Sequence, residues 1–292
     1  MNALTPAQYA QIDRLLDLAL EEDVGPGDVT TEVLTTGASR LEAVYVARAA
    51  GVLSGVEIVQ RFFAKLSPEV KLEPFLADGA MLEKGARIMR VSGPARPVLT
   101  GERVSLNLLQ RMCGIATVAR RYADAVAGTR AKIYDTRKTL PGHRALDKMA
   151  VMHGGGCNHR LGLYDMILIK DNHLALAEIA SPFDAVKIAR AKSKLPLMVE
   201  VDTLEQLANV LPAAPDYVLL DNMGPETLKK AVAMTDAAFA ADPARRPRLE
   251  ASGGVNLGTV RAIAESGVDR ISVGALTHSV TALDIGLDYE GA

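Results

Sequence analysis

The sequence predicts an α/β protein in two parts: a small N-terminal domain containing a sheet, and a (β/α) barrel in which only six strands are evident. Three observations lead there. From about residue 131, six apolar, β-compatible runs recur: AKIYD, DMILIK, LPLMVEVD, YVLLD, RLEASGG and RISVGA. Helix-patterned segments such as LEQLANVL, PETLKKAVAMTDAAFA and LGTVRAIAESG separate most of them, the rhythm of parallel strands buried on both faces. A residue capable of chemistry stands at or just past the C-terminal end of each run: Asp135 to Lys138, then Lys170, Glu200, Asp221, Ser252 and Gly274. In a barrel those ends meet on one face, where active sites sit. A doubly wound open sheet would concentrate its functional ends at one crevice instead of using all six.

The earlier elements follow in order. Thr5-Pro6-Ala7-Gln8 reads as a helix start, with Thr5 as N-cap, Pro6 in the first helical position and Gln8 closing a capping box. Ile12, Leu15, Leu16 and Ala19 then form one apolar face at helical spacing. EEDVGPGDVTT, with two glycines and a proline, reads as a loop. Across residues 41–99, LEAVYVARAAGVLSG, VKLEPFLADGAMLEKGARIMRVSG and PVL are β-type runs divided by Gly and Pro. Thr100 is then expected to cap a helix through GERVSLNLLQRMC, with Val104, Leu108, Leu109 and Met112 on one side.

The whole-chain numbers narrow the function. A chain of 292 residues, 49% hydrophobic and 23% charged, is long enough for a large core and has an ordinary globular composition. Its formal net charge of -2 argues against a nucleic-acid binder, so any cationic site is local and aimed at something small. Cys113 and Cys157 are too few for a disulfide framework, and a cytoplasmic setting is expected. The N-terminal stretch lacks the basic start and apolar run of a signal peptide. No stretch approaches the roughly 20 apolar residues of a membrane helix.

The strongest chemical signal is cationic. YDTRKTLPGHR sets Arg137 and Lys138 beside Asp135, and CNHRLGLYDMILIKDNHL adds His159, Arg160 and Lys170. Cations at strand ends facing a common mouth repel one another unless an anion lies between them. Charge-assisted hydrogen bonds contribute about 1.5–3 kcal/mol each, and Arg grips a carboxylate with two parallel bonds. A ligand with several negative charges fits. Glu200 and Asp221 end neighbouring runs and suit Mg²⁺, sugar hydroxyls or base chemistry, with structural ion pairs to lysines as the plainer reading. EASGGVN and ISVGAL end the last two runs, where small residues let backbone N–H groups approach a phosphate; tight turns needing glycine are the plainer reading there.

Other motifs point elsewhere only weakly. Arg245, Arg246 and Arg248 in DPARRPR read as solvated surface. HGGGCNH places His153, Cys157 and His159 together, but no further Cys or His follows at zinc spacing. Its glycines lack the Lys-Ser/Thr ending of a P-loop and read as a bend after a helix. DGAMLEKGARI has the look of a carrier-domain hairpin, with Lys84 more simply an exposed turn residue. Lys170 at a strand end also suits a Schiff-base aldolase or decarboxylase, the rival enzyme class.

Taken together, EEDVGPGDVTT, GERVSLNLLQRMCGIAT, DTRKTLPGHRALDKMAV, HGGGCNHRLGLYDMILIKDNH, VEVDT, LLDNM, EASGGVN and ISVGALTHS resemble the quinolinate phosphoribosyltransferase family, in order, from about residue 21 to 279. A molybdenum-associated paralogue shares this architecture. The resemblance implies the type II phosphoribosyltransferase fold: an N-terminal α/β sandwich over residues 1–115, rejoined by 279–292, and an incomplete TIM-like α/β barrel over 116–278. It implies a homodimer in which Arg103 reaches the partner's site. Arg137, His159 and Arg160 would bind the two carboxylates of quinolinate, with Thr136 also substrate-binding; Lys138 and Lys170 would serve the diphosphate and the reacting region. Glu200 and Asp221 would hold ribose hydroxyls and Mg²⁺. Ser252, Gly253, Gly254, Val273, Gly274 and Ala275 would cradle the 5-phosphate of phosphoribosyl pyrophosphate. The activity implied is phosphoribosyl transfer with decarboxylation, in NAD biosynthesis.

Overall fold

A computed structural model describes residues 4–179 and 181–290; residues 1–3, which head the N-terminal stretch, lie outside them. The chain forms two compact units, one of Met1–Arg120, Thr139–Gly155 and Leu276–Ala292, the other of Arg121–Lys138 and Gly156–Ala275.

The first unit begins with α1 (Pro6–Val24), capped by Thr5 in the expected box with Gln8. Ile12 and Leu16 are buried, while Leu15 and Ala19 are half-buried. The stretch read as a loop is mostly helical: α1 runs on through Val24, and α2 (Val29–Leu34) starts where the Asp28 side chain accepts the Thr31 N–H. The turn is confined to Gly25, Pro26 and Gly27, because an aspartate cap restarts the helix at once.

Next come β1 (Arg40–Ala47), β2 (Gly51–Val52), α3 (Val56–Leu66), β3 (Lys71–Pro74), β4 (Met81–Leu82) and β5 (Arg87–Pro94). Lys84 is exposed in the turn between β4 and β5. The helix expected from Thr100 begins earlier, as α4 (Ala95–Ala125), so PVL is helical and not β. Pro97 falls in the first turn, where a missing N–H costs nothing. Thr100 therefore lies inside the helix, and its hydroxyl donates to Asp28 Oδ2 at 3.0 Å. Val104, Leu108, Leu109 and Met112 are all buried.

The second unit holds β6 (Lys132–Tyr134), after which the chain leaves it for α5 (Arg144–His153) of the first. It then continues through β7 (Ile167–Ile169), α6 (Asp171–Leu176), α7 (Pro182–Lys192), β8 (Leu197–Val201), α8 (Leu204–Val210), β9 (Tyr217–Asp221), α9 (Pro225–Ala238), β10 (Arg248–Ser252), α10 (Val260–Glu265) and β11 (Arg270–Ser272). α11 (Ala275–His278) and β12 (Ile285–Tyr289) complete the chain.

In the first unit an antiparallel sheet has the order β12-β1-β5-β3, with the C-terminal strand in register with the N-terminal one, Ala43 opposite Tyr289. Tyr45, Phe62, Phe63, Ile88 and Met89 are fully buried, and a 2.7 Å hydrogen bond joins the Tyr45 hydroxyl on β1 to that of Ser105 on α4. In the second unit all six predicted runs form strands, parallel and in the order β6-β11-β10-β9-β8-β7. That is the cyclic order of a barrel, first strand beside last, with no ladder closing β6 onto β7 among the described residues. The chain comprises an incomplete α/β barrel and a separate α/β unit with its own antiparallel sheet, the two-part fold that the resemblance implies.

Candidate active site

Because the six strands are parallel, their C-terminal ends share one rim. Lys170 directly follows β7, Asp221 and Ser252 close β9 and β10, and Val273, Gly274 and Ala275 follow β11. Glu200 is the fourth residue of β8, opposite Leu219. Since side chains on a strand alternate, Glu200 and Asp221 face the same side, with Asp221 one layer nearer the rim. Asp221 is paired with Ser252 across the ladder. Fourteen of the fifteen predicted site residues, from Thr136 to Ala275, thus belong to one compact unit. The exception is Arg103, exposed on α4 in the first unit.

The loop after β6 is built on a buried acid. Asp135 is fully buried; its Oδ1 accepts the His159 N–H at 2.8 Å, while its own N–H donates to the Cys157 carbonyl at 3.0 Å. These bonds stitch segment 157–159 to β6 and bring Arg160 toward Arg137. The Thr136 hydroxyl accepts the Lys138 N–H at 3.0 Å, setting the next turn. Arg160 is crowded: burial, and then the Arg137 charge, lower its pKa, with Asp165 opposing. Two guanidinium groups held in each other's field cost energy that an intervening anion offsets.

His159 is placed differently from its neighbours. Its ring is 8% exposed, with Nε2 3.3 Å from buried Glu250 and Nδ1 accepting the Arg160 N–H at 2.8 Å. Lys170 forms an ion pair with Glu200, and its N–H donates to His173 Nδ1 at 2.9 Å. Asp221 accepts from the Asn222 amide at 2.7 Å.

Turn 252–254 is a bare-backbone cradle. Gly253 and Gly254 have φ of +94° and +60°, and a Cβ on Gly253 would lie 2.0 Å from Asn222 Oδ1. Only glycine fits there. Its peptide groups are left accessible beside Asp221.

Among the described residues no three His, Cys, Asp or Glu side chains gather to hold a metal. His153 instead shares a 2.8 Å hydrogen bond with the Ser54 hydroxyl in the first unit. For Mg²⁺ the arrangement still fits, since that ion takes one or two carboxylates and completes its octahedron from substrate phosphates and water. Glu200 and Asp221 on neighbouring strands and one face are such a donor set.

Sequence reasoning missed Glu250. The signal was present: a carboxylate between the apolar Leu249 and Ala251 of RLEASGG, two positions before Ser252 and so on the same face. Asp135 was noted only as part of the first strand end, without its bracing role, and Asp165 was given no part. Asp165 accepts the Leu161 and Gly162 N–H groups at 2.6 and 3.0 Å and shapes the chain leading into β7.

A barrel rim with paired cations, two carboxylates and a glycine cradle defines a protein that handles a phosphorylated polyanion. Comparison with known proteins identifies which kind. The model of the quinolinate phosphoribosyl transferase C-terminal domain matches residues 115–288, and that of the N-terminal domain matches residues 28–113. The chain belongs to the quinolinate phosphoribosyltransferase family. It is 42% identical over 282 residues to the probable carboxylating nicotinate-nucleotide pyrophosphorylase of Bacillus subtilis, covering 96% of this chain and 94% of that protein. It is 45% identical over 278 residues to the carboxylating nicotinate-nucleotide pyrophosphorylase of Mycobacterium leprae, covering 92% and 94%. The crystal structure of NadC from Streptococcus pyogenes superposes with a TM-score of 0.89 at 36% identity, covering 100% of both chains.

Proposed function

We propose that this enzyme transfers the phosphoribosyl group of phosphoribosyl pyrophosphate to quinolinate with loss of CO₂, yielding nicotinate mononucleotide and diphosphate for NAD biosynthesis. The observation that carries the reading is Arg160, part-buried on the segment stitched to the end of β6 and set in the field of Arg137. It suits a pyridine with two carboxylates. Arg137, Arg160 and Thr136 bind those carboxylates, with His159 beside them. Lys138 and Lys170 face the departing diphosphate. Glu200 and Asp221 take the ribose hydroxyls, and turns 252–254 and 273–275 take the 5-phosphate.

The chemistry asks for alignment more than for a protein nucleophile. The pyridine nitrogen attacks the sugar carbon as the carbon–diphosphate bond breaks, and lysine ammonium groups stabilise the leaving charge. The alkylated ring nitrogen is then cationic and accepts the electron pair released when the 2-carboxylate departs as CO₂. A proton replaces the carboxylate on the ring. Mg²⁺, when bound with the substrate at Glu200 and Asp221, neutralises phosphate charge.

We further assign residues 1–115 with 279–292 to a cover domain and 116–278 to the catalytic domain; the family-model boundary between 113 and 115 supports the first junction, and pairing of β12 with β1 supports the return of the last segment. The working form is a homodimer in which exposed Arg103 completes the partner's site. A cytoplasmic location is supported by two free cysteines among the described residues, none of whose helices is long and apolar enough to cross a membrane.

Purified protein given quinolinate, phosphoribosyl pyrophosphate and Mg²⁺ is expected to form nicotinate mononucleotide and CO₂. Folded protein that forms neither removes the assignment. The Schiff-base alternative fits less well: Lys170 is 43% exposed and bonded to Glu200, not secluded in an apolar pocket. Borohydride is expected to trap no lysine adduct.

A further inference from the structure

Glu250 lies one layer below the rim. The ladder sets it between Leu219 of β9 and Arg270 of β11, and it points to the same face as Ser252, two residues on. It is fully buried, and three donors surround it. Arg270 Nε donates to Oε2 at 2.5 Å, the Ser272 hydroxyl donates to Oε1, and His159 Nε2 approaches Oε1 at 3.3 Å. The Arg270 guanidinium against one of its oxygens keeps this carboxyl ionised, and so an acceptor only.

A plain buried ion pair would use both carboxylate oxygens on the guanidinium fork. Here Arg270 takes one oxygen, and its guanidinium stacks over the rings of Tyr134 and Tyr217 at 3.7 and 4.6 Å. The second oxygen is left for Ser272 and His159. At the far side of the imidazole, Nδ1 accepts the Arg160 N–H. A ring nitrogen accepts only when it carries no proton, so the ring hydrogen sits on Nε2, toward Glu250. Arg160 Nη1 is braced by the Met166 carbonyl at 3.3 Å.

We propose that Glu250 is a positioning residue: by fixing the His159 tautomer it holds the Arg160 backbone, and with it the aim of the guanidinium that meets the substrate carboxylate. This rests on the dicarboxylate reading above. It gives His159 a task facing inward, as the link between a buried anion and a binding arginine.

Glu250→Gln keeps the volume but presents a donor as well as an acceptor. Steady-state kinetics of the full chain are expected to show the quinolinate KM raised about tenfold or more, with the phosphoribosyl pyrophosphate KM changed less than about twofold. Ser272→Ala removes the other bond to the same oxygen and is expected to leave both KM values within about twofold. Nitrogen-15 NMR of histidine-labelled protein, with the His159 signals assigned by their loss in His159→Gln, is expected to show the Nε2–H tautomer in the unsubstituted protein and its loss in Glu250→Gln.

Equal defects in Glu250→Gln and Ser272→Ala, or a fall in kcat with both KM values intact, would reduce Glu250 to a structural role. An Nδ1–H tautomer or an imidazolium at His159 in the unsubstituted protein would overturn the proposal even if Glu250→Gln does not fold. If that protein turns over no quinolinate, the functional reading fails, while the tautomer still decides whether Glu250 governs His159.

Discussion

Lys170 and Glu200 pair one register step beyond Ile169 and Val199, the last partners in the ladder between β7 and β8. The pair places an ammonium group at the rim, with its counter-charge 12% exposed beneath it. Lys170→Ala is expected to lower kcat/KM by about 10²–10³, the range for losing one group aimed at developing charge. Because Glu200 anchors that lysine, the Lys170→Ala/Glu200→Ala double variant is expected to lose less than the product of the two single losses. Steady-state kinetics on the three variants check this; strictly multiplicative losses would show that the pair does not act as a unit.

The two glycines of the rim turn differ in a measurable way. Gly253→Ala brings a Cβ to 2.0 Å from Asn222 Oδ1, whereas at Gly254 nothing lies within 4 Å. Both positions carry positive φ, so Gly254→Ala meets backbone strain alone, about 1–2 kcal/mol. The phosphoribosyl pyrophosphate KM is expected to rise at least about tenfold in Gly253→Ala and several times less in Gly254→Ala. Equal effects would mean that the Asn222 contact does not shape the cradle.

Two histidines of the first unit make stability depend on pH. Burial lowers the pKa of both His143 and His153, with Asp147 partly opposing at the first and Asp78 at the second. The unfolded chain protonates these rings near the ordinary histidine value of about 6.5, while the folded chain resists. Their contribution is thus complete above that pH and is lost as pH falls from there through the depressed folded values. Urea midpoints are expected to fall from pH 7.5 to 5.5, and the fall to shrink in a His143→Gln/His153→Gln double variant. An unchanged slope in that variant would assign the pH dependence to other groups.

Arg103 separates a shared site from a self-contained one. Arg103→Ala and Lys138→Ala are each expected to be nearly inactive, while subunits of the two kinds, unfolded and refolded together, regain activity. If Arg103 acts across a dimer interface, one of the two sites in a mixed dimer carries both groups. Mixed preparations that stay inactive would rule out its delivery by a partner.

The barrel was legible because strand and helix periodicities differ and because parallel strands buried on both faces leave nearly unbroken apolar runs. YVLLD and β9 coincide residue for residue. Helix starts were harder to read. Thr5 was recognisable because cap, proline and glutamine stand together, whereas Thr100 has the right chemistry in the wrong place. Tertiary packing carried α4 back to Ala95 and turned the threonine toward Asp28. The rim residues could be named because each follows a run. Glu250 escaped notice because local sequence shows a charge in a strand but not the donors folded around it.

By itself, the sequence determined which residues can carry charge to the strand ends and which glycines free the backbone there, since both depend on local chemistry and chain spacing. Only the tertiary structure decided that Arg137 and Arg160 share one electrostatic field, that Lys170 rests on Glu200, and that His159 turns inward to Glu250. Those relations join residues 23 to 91 positions apart along the chain, Lys170 to Glu200 and His159 to Glu250 among them. Energies of burial and charge depend on distance in space, which the order and packing of the parallel strands set.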